Sequence, residues 1–153
     1  YKVDKDESKS VQILSARLVN DKNEGCSSFS VTEDINIELV LNIVEIVPAM
    51  YGFISLVDHR DNQIITADTN DHIPNVMESL VLGENKFNIV IPKYRIGVAD
   101  YLLNVSFASV FADDFIIEDP GNTLLFSVHD NISTRGNSRN SITAVYPKWT
   151  RKT

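Results

Sequence analysis

A two-residue hydrophobic period recurs along this chain and constrains its fold more than any other feature. Ile35, Ile37, Leu39, Leu41 and Ile43 alternate with Asn36, Glu38, Val40 and Asn42. Phe87, Ile89 and Ile91 alternate with Asn88 and Val90, and Tyr101, Leu103, Val105 and Phe107 with Leu102, Asn104 and Ser106. Successive side chains of a strand point to opposite faces, so this period describes strands with one buried and one wetter face. Further strands are expected at Val11–Asn20, Met50–Asp58, Gln63–Thr69, Thr123–Val128 and Ser141–Tyr146. Turn signals at Asn23–Gly25, Asp61–Asn62, Gly83–Asn85 and Asp119–Asn122 separate them. No window holds a sustained helical period, and Pro48 limits Glu45–Tyr51 to a short turn. Roughly eight strands without intervening helices predict an all-β antiparallel sandwich, Ig-like or jelly-roll.

The bulk properties narrow the setting. A chain of 153 residues, 43% of them hydrophobic, suits one domain with a real core. The formal net charge of -7 repels phosphate backbones, so nucleic acid is not the expected partner. Cys26 is the single cysteine, which excludes a disulfide framework and argues against a cysteine-based zinc site. The paired cysteines of an antibody-type domain are therefore missing. Absence of disulfides at this size fits a reducing compartment. The first ten residues are rich in Lys, Asp, Glu and Ser and read as the remnant of a linker, leaving 11–153 as the folded domain. No apolar run approaches the roughly 20 residues that span a bilayer.

Motifs for chemistry are missing. The chain has no GxxxxGK[ST] loop, GxGxxG, GxSxG or HExxH. Asp58, His59 and Asp61, followed by Asp68, Asp71 and His72, match no EF-hand or zinc spacing, and a polar hairpin turn explains the first group. The acidic pairs Asp113–Asp114 and Glu118–Asp119 flank Phe115–Ile117 and raise the thought of a two-carboxylate glycosidase. Loop solubility explains them more simply. His59, His72 and His129 lie in polar surroundings without a flanking nucleophile motif. No catalytic residue, metal or cofactor is expected.

A β-sandwich binder of sugars stacks apolar pyranose faces on aromatic rings and binds hydroxyls with Asp, Asn, Arg and His. The parity of the strands groups Tyr51 with Phe53, and Tyr101 with Leu103, on core faces. Tyr94 follows Pro92-Lys93 in a loop and is the better exposed ring. The expected groove residues are His59, Arg60, Asp68, Asn70, Tyr94 and Arg95, all at strand ends or in polar loops.

The order of several segments carries a resemblance. Val11–Asn20 looks like an opening strand followed by a turn at Gly25, and Phe29–Leu39 like a second strand region. Tyr51–Asn70 holds a strand ending in Asp58, a polar turn, and a strand running into a small-residue stretch. Leu82–Gly83, Pro92 and Tyr101 fall at a turn, a strand end and a tyrosine strand, while Leu124–Val128 and Val145–Trp149 fit closing strands. This order resembles the C-terminal carbohydrate-binding domain of Wzt-type ATP-binding subunits, from ABC transporters that export bacterial O-antigen polysaccharide. Two departures stand out: Val98–Asp100 separate Gly97 from Tyr101, and the acidic stretch Asp113–Asp119 is longer than the family's form.

The resemblance implies a non-catalytic domain that reads the non-reducing end of the polysaccharide. It implies an ATPase domain upstream, a membrane subunit of the transporter as partner, and a place at the cytoplasmic face of the inner membrane. It also implies a homodimer. Some members exchange a C-terminal strand, for which Ser141–Tyr146 is the segment here, with Asp130–Asn140 as its hinge. The competing expectation is a structural or protein-interaction sandwich without affinity for sugar.

Overall fold

The computed structural model describes residues 1–151. Nine strands form among the described residues: β1 (Val11–Val19), β2 (Ser28–Ser30), β3 (Ile35–Ile43), β4 (Tyr51–Asp58), β5 (Gln63–Asp68), β6 (Gly83–Ile91), β7 (Ala99–Ala108), β8 (Ile116–Glu118) and β9 (Leu124–His129). Helical structure among the described residues is limited to three 3-10 turns, at Thr69–Asp71, Val76–Ser79 and Gly136–Ser138. The small sheet has the order β1-β3-β6, and the large one the order β2-β9-β7-β4-β5, with β8 also paired to β7. All pairs are antiparallel except β2 with β9, which run parallel. The expected all-β sandwich is the fold found.

The alternation decides which residues enter the space between the sheets. Ile37, Leu39 and Leu41 face Leu56, Leu103, Phe107 and Phe126 in one buried cluster. Tyr101 joins them, 2% exposed, and its hydroxyl donates to the Gly97 carbonyl at 2.9 Å. Burial first, and Asp58 second, push this phenol up to about 12, so it stays a neutral donor. The bond ties the β6–β7 connection to the start of β7.

Four features depart from the sequence expectation. Gly83–Asn85 opens β6 instead of forming a turn, because Ile43, Asn42 and Leu41 of the long β3 are there to pair with it. β8 lies inside the stretch expected to be an acidic loop, paired to Phe107 and Ala108. Tyr51 and Phe53 face out: Gly52, Ile54 and Leu56 are the buried residues of β4.

The fourth is Ser141–Tyr146, which forms no strand. It packs across Gly97 instead, whose N–H donates to the Ile142 carbonyl at 2.7 Å. A Cβ on Gly97 would collide with the Ser141 carbonyl oxygen, so only glycine admits this crossing. Ala144 is buried beneath it. The segment is thus held by a backbone contact and a small buried side chain, and by packing of the Tyr146 ring on Tyr94, without joining a strand ladder.

The N-terminal residues also lie on the sandwich. Val3 N–H donates to the Leu14 carbonyl at 2.9 Å, and Lys2 bridges to Ser15. Asp6 N–H donates to Gln12 Oε1 at 2.8 Å.

Candidate binding site

The outer face of the large sheet carries a polar groove of about 580 Å³. Its floor is built from side chains that point away from the core. Asp100 of β7 lies opposite Ser127 of β9, and Ser127 lies beside Ser28 of β2. His129 follows two residues after Ser127, on the same face. His59 closes one side from the β4–β5 turn, and Asn137 closes another from the Gly136–Ser138 turn.

Each wall is fixed by its own bonds. Ser127 Oγ donates to Asp100 Oδ1 at 2.5 Å, and Ser28 Oγ and His129 Nδ1 approach to 3.4 Å. The His59 turn is wound around Asp58, whose Oδ1 accepts from the Arg60 N–H at 2.8 Å and the Asn62 N–H at 3.0 Å. The Asn62 amide side chain is the largest influence on the Asp58 carboxyl; burial pushes it up, but the amide and these backbone donors outweigh that and hold it below its ordinary value. Asn137 is set by the Asp130 N–H, which donates to its Oδ1 at 2.9 Å.

Asp130 anchors the whole C-terminal passage. Its side chain is fully buried and accepts from the Ser133 hydroxyl and from the Ile132 and Ser133 N–H groups, both at 3.0 Å. The Ser133 hydroxyl is the largest influence on its acidity. Burial opposes it, and the two N–H donors reinforce it, so the carboxyl falls to about 2. The Arg139 guanidinium lies 4.7 Å from the Tyr146 ring centroid, and the Tyr146 ring meets Tyr94 edge-on at 6.0 Å.

The six residues expected to share a groove divide among three places. His59 lines the polar groove, with Arg60 beside it, its Nε 3.3 Å from His59 Nε2. Tyr94 and Arg95 lie in the β6–β7 connection, where Tyr94 has a positive φ of 62° and packs on Tyr146. Asp68 and Asn70 stand at the other end of the β4–β5 hairpin. There Asp68 caps the 3-10 turn, accepting from the Asn70 N–H at 2.7 Å, and Asn70 Oδ1 accepts from Asn75 at 2.7 Å.

Asp68 also borders a second cleft, of about 430 Å³, between the sheets at the β5 and β6 edge. Its interior is apolar, with Leu39, Ile54, Met77, Phe87 and Phe107. Asp71, His72 and Asn88 stand among the polar residues that line it.

Ser28, Asp100, Ser127 and His129 escaped the sequence reading because they come from three strands far apart in the chain. One signal was available. Asp100 and Ser127 alternate with Tyr101 and Phe126, so parity already placed them outside.

Asp100 is bonded to a serine hydroxyl, and among the described residues of the groove no carboxylate is bonded to an imidazole. Glu118 ends β8, and Asp119 follows it in the loop. Glu118 is 5% exposed and binds Lys9 Nζ at 2.9 Å and the Ile13 N–H at 3.2 Å, whereas Asp119 is exposed. The two carboxylates do not share a cleft. Among the described residues no group of three His, Cys, Asp or Glu side chains is placed to hold a metal ion, and no helix is long and apolar enough to cross a membrane.

No family model matches this chain, and no curated protein matches its sequence. Among solved structures it is similar to the crystal structure of the C-terminal domain of wzt. The TM-score is 0.73 at 11% identity, over 94% of this chain and 85% of that one. A Bifidobacterium dentium beta-glucuronidase complexed with coumarin-3-O-glucuronide gives a TM-score of only 0.45 at 9% identity, over 79% of this chain and 18% of that one. That second likeness carries no argument. The first fixes the fold: this chain has the two-sheet architecture of the wzt C-terminal domain.

Proposed function

We propose that this chain is a non-catalytic carbohydrate-binding domain that recognises the non-reducing terminus of O-antigen polysaccharide during export by an ABC transporter. The observation that carries the reading is the polar groove on the open sheet face. Ser28, His59, Asp100, Ser127, His129 and Asn137 offer hydroxyl, imidazole, carboxylate and amide groups toward one volume. Sugars present many hydroxyls and few charges, and this mixture of short donors and acceptors matches them. The fold likeness to the wzt C-terminal domain supports the same reading.

Binding here is an equilibrium between groove and glycan. Pre-set hydrogen bonds fix orientation, and ordered water fills the gaps. The domain acts within a longer protein whose ATPase part precedes it, at the cytoplasmic face of the inner membrane beside the transporter's membrane subunit. Residues 1–10 belong to the connection, and 11–153 form the binding domain. Two copies associate. The contacts of Ser141–Tyr146 with Gly97 and Tyr94, made here within one chain, give an exchanged dimer when made between chains.

The test is calorimetric titration with O-polysaccharide from the source strain and with a polysaccharide of different terminal structure. Saturable heat with the cognate glycan alone, unchanged by chelator, supports the domain's role. A folded protein that binds neither glycan replaces this reading with the structural or protein-interaction sandwich.

A further inference from the structure

The outer face of the large sheet continues beyond the groove, and its character changes. Tyr51 and Phe53 project from β4, and Phe115 arrives from the β7–β8 connection. The Tyr51 ring centroid lies 6.1 Å from that of Phe53 and 6.3 Å from that of Phe115. None of the three rings belongs to the buried core, and Phe115 is 51% exposed.

Polar groups beside these rings are held in place. Ser106 is the cross-strand neighbour of Phe53. The Asn104 amide donates to Ser106 Oγ at 3.0 Å and to Asp119 Oδ1 at 2.9 Å, and the Gly121 N–H donates to the same Asp119 oxygen at 2.8 Å. Partial burial pushes the Asp119 carboxyl up, but these donors outweigh it and hold the group below its ordinary value. An exposed, ionised acceptor thus stands at a fixed point next to an aromatic surface.

We propose that this aromatic platform is a second carbohydrate subsite, which stacks a ring of an uncharged glycan chain whose other end lies in the polar groove. The proposal rests on the glycan reading of the groove. Continuity supports it. Asp100 in the groove and Ser106 at the platform share one strand and one face, about 20 Å apart at roughly 3.3 Å per residue.

Charge selects the occupant. Asp100 and Asp119 are fixed negative groups at the two ends, Asp113 and Asp114 directly precede Phe115, and the chain carries -7 overall. A polyanionic glycan meets like charge along this path. A second copy of the chain is disfavoured for the same reason. A two-fold contact places the patch against itself and brings these carboxylates together.

The test uses fragments of the source strain's O-polysaccharide. Short fragments are too small to bridge the two sites, and long ones span about 20 Å. Wild type should bind long fragments more tightly than short ones. Tyr51→Ala and Phe115→Ala should lower the affinity for long fragments about tenfold and leave short fragments unchanged. Tyr51→Phe, which keeps the ring, should restore long-fragment binding. Polygalacturonate of matched length should bind more weakly than the long fragments.

Folded alanine variants that keep full long-fragment affinity overturn the platform while leaving the groove intact. Equal losses for short and long fragments overturn it as well. Polygalacturonate binding as tightly as the long fragments overturns the uncharged assignment. Wild type that binds neither length brings down the groove and the platform together. Loss of self-association in Phe115→Ala, with glycan binding unchanged, assigns the rings to a second copy instead.

Discussion

The two sheets have outer faces of opposite kinds. On the small sheet Arg17, Glu38, Glu84, Lys86 and Asn88 point to solvent, and the Arg17 guanidinium pairs with Glu38 at 2.5 Å. These are mostly long charged side chains with many rotamers. On the large sheet the outward residues include Tyr51, Phe53, Ser55, Asp100, Asn104, Ser127 and His129, with Leu102 and the exposed Leu125 between them. Most are rings and short polar groups, and none of these carries a long charged side chain. Holding a long charged side chain still costs up to about 2 kcal/mol of rotamer entropy, whereas a serine or an aspartate has far less to lose. The small sheet is therefore finished toward water, and the large one is arranged to hold something in a fixed geometry.

The hardest challenge to that contrast compares the two sides of the large sheet itself. Leu103 is wholly buried on its inner side. Leu103→Ala should cost about 2–5 kcal/mol of stability, measured by denaturant unfolding. His129→Ala, on the outer side, should change stability by less than about 0.5 kcal/mol. Its effect should appear in titration instead, as a loss of glycan affinity on the order of tenfold. A His129 variant that unfolds as readily as the Leu103 variant would make the outer side structural and erase the contrast.

How far the sequence reveals these two sides follows from what alternation encodes. It separates inside from outside within a strand, so Tyr101 and Leu103 are placed in the core correctly. Ring size misleads at Tyr51 and Phe53, where aromatic residues suggest the core face but project outward. The phase of Ile54 and Leu56 in the same strand points the other way, and the structure follows that phase. Alternation also says nothing about partners. Ser141–Tyr146 has strand-like residues but joins no sheet edge, and it crosses Gly97 instead. β8 hides in an acidic stretch because three residues are too few to show a period. The groove is harder still. His59 was recognised as a turn residue, but its neighbours Ser28, Asp100 and Ser127 meet it only after the sheet order β2-β9-β7-β4 forms.

Acid provides a sharper separation of the groove from its support. Asp130 is buried, and its backbone N–H holds Asn137 at the groove wall while its carboxylate holds the turn that follows. Its carboxyl is depressed from 3.8 to about 2, so the folded state prefers the ionised form more than the unfolded chain does. This stabilisation is fully present above the unfolded value and is lost as pH falls through the folded one, between about 4 and 2. Asp130→Asn should be less stable than wild type near neutral pH, with a gap that narrows across that window in thermal melts. Glycan affinity at neutral pH should fall by less than in His129→Ala, since Asp130 works through the position of Asn137. An unfolding gap that stays constant down to pH 2 would mean that the carboxylate charge contributes nothing to the anchor.

The smallest effect belongs to the face that is finished toward water. Arg17 pairs with Glu38 across β1 and β3, but the Arg17 side chain is 58% exposed and Glu38 32%. Solvent and salt screen such a pair, and holding it still offsets part of the attraction. Arg17→Ala should therefore shift stability by no more than about 0.5 kcal/mol, with a shift that shrinks further in high salt. It should leave glycan titration untouched. That second measurement matters more than the first: a loss of glycan affinity in Arg17→Ala would place binding on the small sheet, where the long charged side chains are, and the contrast between mobile and fixed surfaces would have pointed to the wrong face.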